Sequence, residues 1–96
     1  MTDPWPWAPA KEALQQYDAL AGHPAAPVPQ DEVLALIQWI TADPYGAGST
    51  ESDIGPEWDR VAAFGNVMIP YQVHDPDRNP NASQRCVLIL RVVWAD

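Results

Sequence analysis

The stretch CVLILRVVW, residues 86–94, holds eight apolar residues and one arginine, Arg91. Its length and its Val/Ile content predict a β-strand. Successive side chains of a strand point to opposite faces. Counted that way, Cys86, Leu88, Leu90, Val92 and Trp94 share one face, and Val87, Ile89, Arg91 and Val93 share the other. A strand apolar on both faces belongs in the middle of a sheet. The arginine then marks the less covered face. Either Arg91 contacts a partner or substrate there, or its stem lies along Ile89 and Val93 while the guanidinium reaches water.

Two further strands precede this one. In VMIPYQVHD (67–75), Val67, Ile69, Tyr71 and Val73 alternate with Met68, Pro70, Gln72 and His74, so the first set is expected to face the core. Pro70 has no N–H to give, and predicts a bulge or a missing pair at that point. WDRVAAF (58–64) joins it through Gly65-Asn66, a dipeptide that suits a tight hairpin turn. PDRNPNASQ is the loop to the last strand. Residues 58–94 are therefore expected to form a three-stranded antiparallel sheet.

The first half reads differently. Residues 1–8 carry Pro4 and Pro6 around Trp5, which leaves one usable edge and predicts a weak edge strand with Trp5 and Trp7 facing the same way. Residues 9–43 predict a helical hairpin. Ala10, Ala13, Leu14, Tyr17 and Leu20 make one helical stripe, and Val33, Leu36, Ile37 and Ile40 make the second. Gly22 stops the first helix, HPAAPVP connects them, and Asp43-Pro44 ends the second. The expected class is α+β: a helical hairpin on one face of a small, mostly antiparallel sheet, in a single domain over 1–96.

Composition excludes several functions. The chain has one lysine and four arginines against 13 acidic residues, a formal charge of −8. A protein that grips nucleic-acid phosphates needs clustered cations, so DNA binding alone is disfavoured. Cys86 is the one cysteine, which rules out a disulfide framework and a thiolate metal site. No apolar run is long enough to span a membrane, and the start of the chain lacks a signal-peptide pattern, so a cytoplasmic location is expected. The arginine and alanine usage points to a high-GC bacterial source.

The element order, together with ADPYGAGS (42–49), DRVAAFGNVMIPYQV (59–73) with its Tyr71-x-Val73 ending, and VLILRVVW (87–94), resembles the RelE/ParE superfamily of toxins from type II toxin–antitoxin systems. The resemblance implies a β-α-α-β-β-β fold, no cofactor, and a cognate antitoxin that wraps the toxin with a helix and an extended segment. RelE-type members are endoribonucleases with several basic residues over the open sheet face; ParE-type members are gyrase poisons without that set. Here Met68 stands where an arginine is often found, and no basic segment follows the last strand before Asp96. The resemblance thus implies a toxin-like protein working through protein contacts, with a ribonuclease or a non-toxic interaction or immunity module as alternatives.

The candidate catalytic residues are Arg60, Arg91 and His74. Arg60 has Asp59 beside it, and an exposed ion pair is the simpler account. His74 with Asp75 and Asp77 offers an imidazole and two carboxylates, but a turn with Asx-type bonding accounts for the acids equally well; no metal site is assigned. Five tryptophans, Trp5, Trp7, Trp39, Trp58 and Trp94, exceed what a small core can bury, and exposed ones suit a protein interface. The expected partner-binding surface combines Arg91, Ile89, Val87, Met68, Gln72 and Trp94 with Trp5 and Trp7. Its charge calls for a neutral or basic partner.

Overall fold

The computed structural model describes residues 4–21, 30–50, 59–65 and 67–94. The expected connector 22–29, the loop residues 51–57 with Ser52, Trp58, Asn66 and the last two residues lie outside these. The elements run β1 (Trp7–Pro9), α1 (Lys11–Ala21), α2 (Gln30–Ala42), β2 (Ser49–Thr50), β3 (Asp59–Phe64), β4 (Val67–His74), β5 (Cys86–Ile89) and β6 (Val93–Trp94). The sheet order is β1-β5-β4-β3-β2, with β6 also paired to β4. β1 runs parallel to β5, and the other pairings are antiparallel. This is the expected α+β layer with a mostly antiparallel sheet.

The alternation of β4 decides which face is covered. Val67, Ile69, Tyr71 and Val73 are buried, in one cluster with Val33, Ile37 and Ile40 of α2 and Ala13 and Leu20 of α1. Full burial of such an aliphatic side chain is worth roughly 1.5–3 kcal/mol, so this seam between the helices and β4–β5 supplies most of the hydrophobic stabilisation. The stripe of α1 is narrower than expected. Ala13 and Leu20 are buried, but Leu14 is 48% exposed.

β1 is an edge strand, as expected, but it spans only Trp7–Pro9 and pairs through the edge on which Pro4 and Pro6 lie, not the edge they leave free: Pro6 takes part through its carbonyl. The Pro6 carbonyl accepts from Val87 N–H and the Ala10 N–H donates to the Ile89 carbonyl, so the even positions face β5. Pro9 then turns its missing donor to the unpaired outer edge, which discourages another strand from adding there. At the opposite corner Gly65 adopts φ +57°, the left-handed conformation glycine takes without steric cost, and turns β3 into β4.

The last strand is not continuous. Tyr71 pairs with Ile89, and Met68 pairs with Val93. Between these pairs β4 has two residues, Ile69 and Pro70, while the last strand has three, Leu90, Arg91 and Val92. One residue is extra, which is a β-bulge. Its cause is Pro70. The pairing of Val61 with Pro70 continues the β3–β4 ladder without a break, while the Pro70 carbonyl, and with it the donorless nitrogen, faces Leu90. The expected irregularity occurs, but in the partner strand.

Candidate partner-binding surface

The bulge corrects the face assignment made from sequence. Val87 and Ile89 were expected beside Arg91 on the open face; both are completely buried under the helices. Arg91 is exposed, and Val92, which the strict alternation put on the opposite face from Ile89, is buried as well. Alternation counted through Arg91 assigns the wrong face to everything before it, because Arg91 lies in the segment with the extra residue. Trp94 stands opposite Val67 on the helix-covered side, half-buried against the core. Trp5 packs on the core rim and Trp7 is 38% exposed on the same side.

The open face keeps Met68 and Gln72 of the expected set and takes its other residues from elsewhere. Met68, Gln72 and His74 of β4 lie on it with Leu88 and Cys86 of β5, which pair with Gln72 and His74 respectively, and Val93 of β6, which pairs with Met68. Met68 and Val93 are 47% and 40% exposed. The Gln72 amide donates to Asp59 Oδ1 at 2.9 Å, so the carboxylate beside Arg60 is engaged on this face. At the far end His74, Asn81, Ser83, Gln84, Cys86 and Leu88 line a shallow depression of about 230 Å³. The surface is largely neutral and apolar, with a single imidazole.

Arg60 lies on the other side. It pairs with Tyr71 in the ladder, and its Nη2 donates to the carbonyls of Tyr45 (2.8 Å) and Gly48 (2.6 Å). The residues that end α2 thus form a tight turn held from within. Asp43 Oδ1 and the Asp43 carbonyl accept from Gly46 N–H, the Asp43 carbonyl also takes Ala47 N–H, and the Tyr71 hydroxyl donates to the Pro44 carbonyl. Burial pushes the Tyr71 hydroxyl above its ordinary pKa, against the opposing pull of the Arg60 guanidinium, so it remains a donor. Arg60 clamps this turn through its carbonyl contacts.

A cluster that sequence reasoning missed surrounds the same turn. Trp5 and Tyr45 meet edge to face, with centroids 6.1 Å apart. Arg85 lies over the Trp5 ring at 4.0 Å, and Arg78 lies over the Tyr45 ring at 4.3 Å with Arg60 at 5.7 Å. Three of the four arginines therefore gather around two aromatic rings. The only signal in the sequence was the Asp-Pro-Tyr-Gly segment itself, which gave no hint of its partners. Asp75 accepts from the Tyr45 hydroxyl and from Asp77 N–H, an Asx-type turn as the alternative reading of that loop had it. His74 points away from this group by the alternation of β4. Among the described residues no cluster of metal-ligating side chains occurs, and no helix is long and apolar enough to cross a membrane.

No protein-family model matches the chain, and no curated protein is similar to it in sequence. Among solved structures it is similar to one chain of the toxin–antitoxin complex RelBE2 from Mycobacterium tuberculosis, with a TM-score of 0.63 and 15% identity. The match covers 97% of this chain and 100% of that one. At this identity the likeness is one of fold, and the fold is RelE-like.

Proposed function

We propose that the chain is the toxin-fold component of a toxin–antitoxin pair and acts through protein–protein contacts in the bacterial cytoplasm. The observation that carries this reading is the disposition of the open sheet face within an end-to-end RelE-like fold. That face presents Met68, Leu88, Val93 and Gln72, while Arg60, Arg78 and Arg85 are gathered around Trp5 and Tyr45. Cutting RNA requires cations aimed at the phosphoryl charge that develops in the transition state. An apolar, neutral face suits a protein partner, whose apolar anchors it can desolvate. The chain's charge of −8 favours a partner with a basic balance.

Growth after induced expression tests the reading, with Met68→Asp and Arg91→Ala variants beside the wild type at matched soluble levels. Arrest by the wild type, relieved by Met68→Asp with no RNA cleavage in vitro, is the expected result. RNA cleavage that is lost with Arg91→Ala would establish the endoribonuclease instead. Normal growth with the wild type would overturn the toxin assignment and leave a binding or immunity module.

A further inference from the structure

Gln16 sits where the pattern of α1 calls for an apolar residue. It follows Ala13 by three positions and precedes Leu20 by four, and both of these are buried, so the three share one side of the helix. The Gln16 side chain is half-buried, and its Oε1 accepts the Val92 N–H at 2.7 Å. Arg91, the polar residue inside the apolar run of the last strand, is the immediate neighbour of that N–H. Two exceptions to the apolar pattern, 75 residues apart in sequence, therefore meet at one place.

The topology explains why this bond is needed. β6 pairs with β4 on one side, and among the described residues no strand lies on its other side. β1, which runs beside β5, ends at Pro9, and the bond from Ala10 N–H to the Ile89 carbonyl closes that seam. Val92 lies beyond this point and is buried. Its N–H is shut off from water with no strand to receive it, and a buried N–H without an acceptor is costly. Gln16 supplies the acceptor from a helix. Successive N–H groups of a strand point to opposite edges, so Val93 turns its own N–H to β4, opposite Met68. The segment 90–94 is then held by the Leu90 N–H on the Pro70 carbonyl, the Val92 N–H on Gln16, and two ladder pairs. A segment with so few bonds opens locally at less than the cost of global unfolding.

We infer that the bond from Val92 N–H to Gln16 is a latch that couples α1 to the open face. While it is made, β6 keeps its bulged register, Val93 stands beside Met68, and Arg91 is turned to solvent. When Gln16 is withdrawn, the Val92 N–H loses its acceptor, β6 parts from β4, and the open face loses the Val93 half of its exposed apolar pair. Gln16 is thus a positioning residue, which acts on that surface through the backbone of Val92. A partner covering Met68 and Val93 would bind the latched state alone, so a change at α1 that breaks the latch would weaken it in proportion to the share of chains opened. That consequence rests on the reading of the open face as the contact surface; the latch itself does not.

The test is amide hydrogen exchange of the full chain, followed by NMR, in the wild type, Gln16→Met, Gln16→Glu and a core control, Val73→Ala. Met keeps the length of the side chain and removes the carbonyl oxygen, whereas Glu keeps an acceptor. In the wild type the amides of Met68 and Val93 should exchange by local opening, with rates little changed by low urea, because such an opening exposes little surface. Gln16→Met should speed both about tenfold, the ratio that one buried hydrogen bond is worth, and Gln16→Glu should leave them at the wild-type rate. Val73→Ala, which weakens the core but not the latch, should speed the Gln72 and Leu88 amides of the β4–β5 ladder and spare Met68 and Val93. Unchanged rates at Met68 and Val93 in Gln16→Met would show that the bond survives the opening of β6, and would overturn the latch. So would equal acceleration of these two amides by Val73→Ala, or a Gln16→Glu variant that behaves as Gln16→Met. Exchange is read without a partner, so a wild type that fails to arrest growth sinks the toxin reading and leaves the latch standing. Growth arrest with unchanged rates in Gln16→Met does the reverse.

Discussion

The Pro70 carbonyl accepts the Leu90 N–H at 2.9 Å, and the Pro70 nitrogen has no hydrogen to give in return. Half of a cross-strand pair is therefore missing at the centre of the sheet. The last strand absorbs the defect by carrying one residue more than β4, and Arg91 is in that segment. An arginine inside an apolar run is thus explained by register.

The register predicts the outcome of deleting Arg91. Without it, Val92 would stand opposite Ile69, Val93 opposite Met68 and Trp94 opposite Val67, which keeps Val92 and Trp94 on the covered side. The deletion variant should fold, with a stability change on the order of 1 kcal/mol from the lost bond between Val92 N–H and Gln16 Oε1. Deleting Leu88 instead slips Cys86 and Val87 by one and turns Val87 out of the core. Thermal melts of the two deletions should separate cleanly; equal losses would refute the bulge register.

Burial at Ile89 and Val87 gives a second prediction. Ile89→Ala should cost about 2–5 kcal/mol in denaturant unfolding, since the side chain is completely enclosed. Met68→Ala, on the open face, should stay within about 1 kcal/mol. Had Ile89 stood on the open face beside Met68, as simple alternation from Arg91 suggests, both substitutions would cost little.

Much of the fold was legible because its signals are periodic. Val67, Ile69, Tyr71 and Val73 announce one face of β4, and Val33, Ile37 and Ile40 announce the inner side of α2. The prolines at 4 and 6 announce an edge, whereas Pro9, expected in the first turn of the helix, ends β1 instead. The site was less legible for two physical reasons. A one-residue bulge inverts alternation without any change in composition, so Val87 and Ile89 were placed on the wrong face. Long-range contacts leave no local pattern: nothing near Arg60, Arg78 or Arg85 shows that Trp5 and Tyr45 lie between them.

The turn after α2 provides a third prediction, because its two glycines are constrained differently. A Cβ at Gly48 would sit 2.5 Å from the Val61 carbonyl oxygen and 2.7 Å from the Tyr71 hydroxyl. Neither can yield without moving β3 or breaking the bond to Pro44, so Gly48→Ala should destabilise by about 1–3 kcal/mol and displace the carbonyl that Arg60 holds. A Cβ at Gly46 would meet only the Asp43 carboxylate, which can swing away at the loss of one exposed hydrogen bond, worth about 1 kcal/mol. Unfolding midpoints should rank wild type, Gly46→Ala, Gly48→Ala; the opposite order of the two variants would contradict the clamp.

Tyr71 predicts how stability responds to alkali. Its hydroxyl is buried, bonded to the Pro44 carbonyl, and raised above its ordinary pKa of 10.0 chiefly by desolvation, with Arg60 acting in the other direction. Above pH ~10 the unfolded chain releases this proton while the folded chain retains it. The unfolded state then binds fewer protons, and unfolding free energy falls with pH. The contribution of Tyr71 is fully present below pH ~10 and is lost as pH climbs through the higher folded value. Tyr71→Phe removes both the bond and the titration, so at neutral pH it should be less stable by about 1–3 kcal/mol, because the Pro44 carbonyl loses its donor. The gap between wild type and variant, followed by denaturant midpoints from neutral pH into the alkaline range, should therefore close above pH ~10. A gap that stays constant across that range would mean that the Tyr71 proton is not what couples the β4 core to the turn held by Arg60.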